Sequence, residues 1–315
     1  SGWRVRPQPL GSAWQGWDNG GMSSHQDFRK RIIFVDIDGT LIDHASPVLR
    51  SASDAIKSAR DNGHLVYIST GRGATDIPRG VREIGFDGEI TNGGAFAQVG
   101  DELILSRPMT QEDLAFLIDY FESRGVSILV QTHEKTYTTP GAHALMSEYA
   151  RFLDQQKAIE AVAEPEDFVE GPAETFTEFI EGFDFLNDSN MENAAKLLFI
   201  SNAPVDMADV EENLGDRFHI IPGSMPISPG ADGEISPLGV SKGSAIEAVL
   251  EHVGIPAEDA VGIGDSWNDV EMFDICGEAV AMAGADEGVK ARANRVTTSV
   301  REGGVHKAFT DLGLI

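Results

Sequence analysis

The chain has 315 residues, 41% of them apolar and 24% charged, with a formal net charge of −27. That length supports one large or two ordinary domains with proper cores, and the spread-out acidity excludes the clustered Lys/Arg that nucleic acid requires. No apolar run approaches the roughly 18 residues of a membrane span, and the lone Cys276 excludes an intrachain disulfide and fits a reducing, cytoplasmic setting.

Residues 1–21 hold three of the four Trp, several Gly and Pro, and no helical or strand period. They are expected to be a leader, appended or disordered, outside the fold. The fold opens at residues 32–35, where four consecutive apolar side chains suit a strand buried on both faces. That strand runs directly into Asp36, Asp38, Gly39 and Thr40. Residues i and i+2 of a strand point the same way, so Asp36 and Asp38 should stand side by side where it leaves the sheet. Two anions so close imply either a raised pKa or a cation between them, and a metal is the expectation. Gly39 permits a sharp turn that brings backbone N–H groups near an anion, which suits a phosphate beside the metal.

A helix over 51–60, stopped at Asn62-Gly63, leads to a second strand from 65 that ends in Thr70-Gly71-Arg72. A strand–helix–strand crossover makes the two strands parallel, so Thr70 should lie near Asp36. A hydroxyl followed by glycine can hold a phosphate oxygen through Oγ1 and the next N–H. Arg72 can offer a guanidinium fork to a substrate or be a plain surface arginine. A further short element ends at Asn92-Gly93-Gly94, where Asn92 and Gly93 are candidate substrate contacts.

An insertion is expected from 95 to 235. It begins as a hairpin over 95–105 that turns at Gly100-Asp101, followed by a helix capped by Thr110 and a strand over 126–130. An acidic, partly helical middle over 140–193 precedes a strand at 196–200, a helix at 205–214 and a strand at 218–221. The sum is an α+β layer of sheet and helices.

The first domain, begun at 22–94, resumes at 236–315. Lys242 opens a helix closed by Gly254, an unfavourable place for a cation unless an anion gathers there. Lys196 competes for that role but should lie in the other domain. A second buried strand over 260–264 runs out at Asp265, with Asn268 and Asp269 on the next turn. Mg²⁺ takes six oxygen ligands, some of them waters, and Asp265 would complete the cluster begun by Asp36. Residues 278–282 and 295–297 read as last strands, and Cys276 as a small buried helix residue. The eight His show no ligand spacing, so His44, His64 and the others read as surface or supporting groups.

Asp36, Asp38, Gly39 and Thr40 resemble the DxDGT first motif of the haloacid dehalogenase superfamily of phosphotransferases. Thr70 with Gly71, Lys242, and the stretch Gly264-Asp265-Ser266-Trp267-Asn268-Asp269 resemble its second, third and fourth motifs, the last in the GDxxND form of the Cof-like branch. The resemblance implies a doubly wound, Rossmann-like α/β core with an inserted α+β cap of type IIB. It implies Asp36 as nucleophile, Asp38 as general acid/base, and Thr70 and Lys242 around the phosphoryl group. Asp36, Asp265 and the Asp38 backbone carbonyl would hold Mg²⁺, with Asn268 and Asp269 steadying its waters. The expected activity is Mg²⁺-dependent hydrolysis of a small phosphorylated metabolite, a sugar phosphate by preference. A phosphosugar mutase of the same superfamily and a non-catalytic phosphometabolite-binding protein are the alternatives. The acidic, Phe-bearing insertion is expected to choose the substrate.

Overall fold

Ile32, Ile33, Phe34 and Val35 have no exposed surface, and they serve two cores at once. Ile33 and Val35 pack into one apolar cluster and Ile32 and Phe34 into another, the period-2 alternation of a strand sandwiched between helical layers. The computed structural model describes residues 29–43, 46–160, 168–169, 175–187, 191–223 and 232–315; the expected leader and His44 lie outside them.

Along the chain, β1 (Ile32–Val35), α1 (Arg50–Asp61), β2 (Leu65–Ser69), α2 (Arg79–Arg82) and β3 (Gly88–Thr91) lead to the hairpin β4 (Phe96–Val99) and β5 (Glu102–Ser106). The inserted segment carries α3 (Gln111–Glu122), β6 (Ser127–Thr132), β7 (Thr136–Thr138), α4 (Pro140–Glu160), α5 (Phe176–Glu181) and β8 (Asp184–Phe185). It continues with β9 (Ala194–Ile200), α6 (Met207–Leu214), β10 (Phe218–Pro222) and β11 (Asp232–Pro237). The chain ends with α7 (Lys242–Val253), β12 (Ala260–Gly264), α8 (Val270–Ile275), β13 (Glu278–Ala281), α9 (Glu287–Lys290), β14 (Arg295–Val296) and α10 (Gly304–Asp311).

The first sheet has the order β14-β13-β12-β1-β2-β3-β4-β5, parallel from β14 to β3. Helices α1 and α10 cover one face and α7 and α8 the other, so the core is doubly wound as expected. Its border differs from the expected one. The hairpin β4–β5 bonds onto β3, from Gly88 opposite Val99 to Thr91 opposite Phe96, and so extends the first sheet to Ser106 instead of opening the insertion. The next segment of chain satisfies the otherwise open edge of β3. On the return, β11 pairs with β9 and β10, which carries the second sheet to Pro237.

The second sheet, β10-β11-β9-β6-β7-β8, is antiparallel except for β7 and β8. Ile128, Val130, Leu197 and Phe199 face α3 and α6, while Leu129, Leu198 and Ile200 face α4. Thr110 caps α3, its hydroxyl accepting from Asp113 N at 3.1 Å. His64 is buried, against expectation: its Nδ1 accepts from Arg31 N at 3.1 Å and closes the gap between the starts of β1 and β2. Among the described residues no helix is long and apolar enough to cross a membrane.

Register positions the site. Val35 lies opposite both Ile68 and Ile263, so the residues that leave β1, β2 and β12 emerge together at the carboxyl edge of the sheet. Helix α7 starts at the same edge, with Ser241 and Ser244 in a reciprocal capping box. Gly94 lets the Asn92–Gly94 turn press against that start, since a Cβ there would come within 2.0 Å of the Ser241 carbonyl oxygen.

Candidate active site

Lys242 projects from the first turn of α7 between two carboxylates. Its Nζ donates to Asp36 Oδ1 at 2.7 Å and to Asp269 Oδ1 at 2.6 Å, with relative exposures of 1% for Lys242, 4% for Asp36 and 0% for Asp269. The other Asp269 oxygen accepts from the backbone N–H of Asp265 and of Ser266, both at 3.0 Å. Asp269 is therefore fully occupied in fixing Lys242 and the loop after β12. Asp36 is not: among the described residues its Oδ2 carries no hydrogen bond, and Asp36 lines the cavity above the sheet edge.

Asp36, Asp265 and Asp269 each place a carboxylate oxygen within 4.8 Å of the others. Gly39, at φ +77°, lies so close to Asp265 that a Cβ would meet its Oδ2 at 2.1 Å. The Gly39 N–H is already bonded to Ile42 O at 2.8 Å. The turn expected at Gly39 is present, its own N–H is taken by that turn, and the missing side chain gives Asp265 room. Asp265 Oδ1 is buried without any hydrogen-bond partner. An orphaned, buried carboxylate oxygen beside a second carboxylate is what a hard cation satisfies, so these residues fit a divalent metal. Asp36 and Asp265 would hold it.

The electrostatics agree. Burial pushes the Asp36 carboxyl up to about 7, with Lys242 pulling down and Asp269 and Asp38 pushing further up. Burial, then Asp36 and Asp269, push Asp265 up to about 8. Burial alone would depress Lys242, but Asp269 and Asp36 outweigh it and raise its pKa, so the lysine is a permanent cation.

Asp38 stands at the mouth of the site with its carboxylate about half exposed. Arg72 grips it with two bonds, Nε to Oδ2 at 2.7 Å and an Nη to Oδ1 at 2.8 Å. Its other Nη donates to Asp76 O at 2.8 Å. The expected substrate fork is thus engaged by Asp38, because the turn after β2 carries it beside the loop after β1. Thr70 is buried, and its Oγ1 accepts from Arg72 N at 3.1 Å, which leaves the hydroxyl proton to donate. Gly71 lines the cavity beside it, and Asn268 takes the Ser266 hydroxyl at 2.8 Å.

Asn92 and Gly93 do not turn toward the site as substrate contacts. The Asn92 amide donates to Gln131 Oε1 at 3.0 Å and Thr132 O at 2.9 Å, tying the first sheet to β6. Backbone N–H groups of both are used, Asn92 on Arg72 O at 2.7 Å and Gly93 on Thr70 O at 3.0 Å. Lys196 lies in the second sheet as expected, yet its Nζ reaches back to within 3.4 Å of where a Gly71 Cβ would stand. It bonds Glu234 at 2.7 Å and lines the same cavity. Gln131 and Glu234 were not visible as site residues in the sequence. A lysine inside the buried run Ala194–Ile200 was the one usable signal.

Fold and site together define an α/β enzyme whose acidic sheet edge is built to hold a divalent ion under an inserted layer. The family of haloacid dehalogenase-like hydrolases matches residues 33–309, and the chain belongs to it. The chain is 30% identical to 5-amino-6-(5-phospho-D-ribitylamino)uracil phosphatase YwtE of Bacillus subtilis, over 87% of this chain and 95% of that one. It is 26% identical to the putative phosphatase YkrA of the same organism, over 90% of this chain and 98% of that one. A solved subclass IIB sugar phosphatase of the superfamily shares the fold, with a TM-score of 0.69 at 24% identity, covering 91% of this chain and 100% of the other. The chain is a phosphatase of the Cof-like branch, and hydrolases of this family use a divalent metal.

Proposed function

We propose that this chain hydrolyses small phosphomonoesters, sugar or other polyol phosphates by preference, with Mg²⁺ and through an aspartyl-phosphate on Asp36. The observation that carries the reading is the unequal treatment of the two Asp36 oxygens: Lys242 holds Oδ1 at 2.7 Å, and Oδ2 has no hydrogen bond among the described residues. That is an oriented nucleophile with its attacking atom free.

In the first half-reaction Asp36 Oδ2 bonds to phosphorus and the ester P–O bond breaks. Asp38 gives a proton to the departing oxygen, exchanging its contact with Arg72 for one with the substrate. In the second, Asp38 takes a proton from water, whose oxygen attacks the same phosphorus and frees Asp36 and inorganic phosphate. The Thr70 hydroxyl and the Gly71 N–H hold phosphoryl oxygens, and Lys242 keeps Asp36 aimed. Asp36, Asp265 and the Asp38 backbone carbonyl would hold Mg²⁺, which would supply the positive charge that lets an anionic nucleophile meet an anionic phosphate. Cys276 is buried and its thiol pKa is pushed up by that burial, so it is an inert, structural cysteine.

The test is release of inorganic phosphate from p-nitrophenyl phosphate and a panel of sugar phosphates, with and without Mg²⁺. Phosphate release that needs the metal is expected. Turnover after exhaustive chelation, or isomerised sugar phosphate in place of free phosphate, contradicts the reading.

A further inference from the structure

Two chain crossings, 107–109 after β5 and 238–240 after β11, join the first sheet to the roof of the cavity, which is the second sheet with its helices. They lie side by side on the α7 face: an Arg107 Nη donates to Gly239 O at 3.3 Å and to Ser244 Oγ of α7 at 3.2 Å. Ala95, Phe96, Ala195 and Val240 pack there as a small apolar cluster. A roof attached only at these crossings is a flap on a hinge.

A third attachment lies across the sheet, on the α1 face. Between α4 and α5 the inserted chain comes down onto the start of α1, where Phe168 forms an antiparallel bridge with Leu49. Val169 N donates to Val48 O at 2.9 Å, and an Arg50 Nη donates to Phe168 O at 3.3 Å. Phe168 and Val169, both half-buried, pack against the apolar cluster that holds Val48, Leu49, Ile37 and Leu41. Ile37 and Leu41 flank the turn that carries Asp38. Above this strap α4 and α5 are pinned to each other, since Asp154 accepts from the backbone N–H groups of Phe176 and Thr177, both at 3.0 Å.

Asp36 and Thr70 lie at the bottom of the cavity, 4% and 1% exposed, so each turnover must pass an ester and a phosphate beneath the roof. The crossings are covalent and cannot part. The strap is one backbone bond, one arginine bond and two apolar side chains, a fastening on the order of 10-fold in an open–closed equilibrium. We infer that Phe168 and Val169 form a latch, which holds the roof down over bound ester and lets go for entry and product release, with the crossings as its hinge. The inference rests on the phosphatase reading for its kinetic readout and deepens it by adding the motion that a turnover requires.

The latch can be welded and it can be loosened. The Val169 to Val48 bond makes Leu49 and Phe168 a non-hydrogen-bonded antiparallel pair, the spacing that suits a disulfide, and Cys276 is buried away from it. In Leu49→Cys/Phe168→Cys protein, oxidation should lower kcat/KM for p-nitrophenyl phosphate at least about 10-fold, as a blocked gate does, and a reductant should restore it. Val169→Pro deletes the latch's backbone donor and should raise KM about 10-fold without lowering kcat. Oxidised protein, its disulfide confirmed by mass, that turns over like the reduced form overturns the latch while the phosphatase reading stands, and so does an unchanged KM in Val169→Pro. A wild type that releases no phosphate overturns the phosphatase reading instead. The latch then requires slower amide exchange of the peptide carrying Thr70 and Gly71 in the oxidised form than in the reduced form, and equal exchange overturns it.

Discussion

The floor of the cavity and its roof are held in opposite ways. On the floor, Lys242, Asp36 and Asp269 are almost wholly buried and bonded at 2.6–2.7 Å, and the loop after β12 is bonded back onto Asp269. The roof reaches the floor through a few polar ties, chiefly Asn92 to Gln131 and Thr132, Thr136 to Asp76, and the Arg72 guanidinium 5.0 Å from the Phe179 ring. Where charge develops on the same phosphoryl group in every turnover, groups fixed in advance lower the barrier most. Where leaving groups differ, a roof held less rigidly serves better. The contrast separates chemistry from choice of substrate.

Replacing the nucleophile breaks the floor most sharply. Asp36→Asn should cost at least about 10⁴ in kcat, as loss of a nucleophile does elsewhere, with an unchanged thermal unfolding curve at pH 5, where Asp36 already holds its proton and Asn still accepts from Lys242. Substantial remaining turnover would move the nucleophile to another residue.

The two buried lysines sharpen the comparison. Lys242→Met strands two buried carboxylates without their cation, and about 3–5 kcal/mol of stability should be lost. Lys196→Met strands only Glu234, whose side chain is 24% exposed and can hydrate, so about 1–2 kcal/mol is expected. Urea unfolding of the two variants side by side measures the difference, and equal costs would erase the distinction between floor and roof.

Stability against pH probes the carboxylates of the floor. Asp36 and Asp265 have folded pKa values near 7 and 8, above the ordinary carboxyl value of 3.8. The folded state therefore binds these protons more tightly than the unfolded one. Their contribution is full below about 4 and is lost as pH rises toward 8. Metal-free protein should thus melt lower at pH 8 than at pH 5, and added Mg²⁺ should raise the melting temperature more at pH 8. A metal effect equal at both values would detach the ion from these carboxylates.

The smallest effect is expected at the roof's tie. Asn92→Ala removes two hydrogen bonds to β6 and should raise KM by up to about 10-fold, the equivalent of 1–2 kcal/mol, with kcat nearly kept. A kcat loss as large as that of Asp36→Asn would return Asn92 to the chemistry.

The floor was legible because its residues sit at strand ends, where buried apolar runs stop abruptly at Asp36, Thr70 and Asp265. Each such ending fixes a place on one sheet edge without knowledge of the rest of the chain. Lys242 could be placed because a cation at a helix start needs an anion to explain it. Arg72, Asn92 and Gly93 were assigned to substrate since local sequence shows reach but not engagement: their partners Asp38 and Gln131 come from distant segments. The hairpin β4–β5 was placed in the insertion for a similar reason. Its residues specify a hairpin, and only the open edge of β3 decides which sheet receives it. Gln131, Thr136 and Lys196 line up in the roof through cross-strand register between β6, β7 and β9, which no single stretch encodes.

The central claim is that Asp36 carries the phosphoryl group. Asp38→Asn protein, which should form the intermediate faster than it loses it, can be quenched in acid during turnover and its peptides weighed. A phosphoryl adduct on the peptide containing Asp36, absent when Asp36→Asn is added, is the predicted result. An adduct on another peptide, or one that survives Asp36→Asn, would contradict the account.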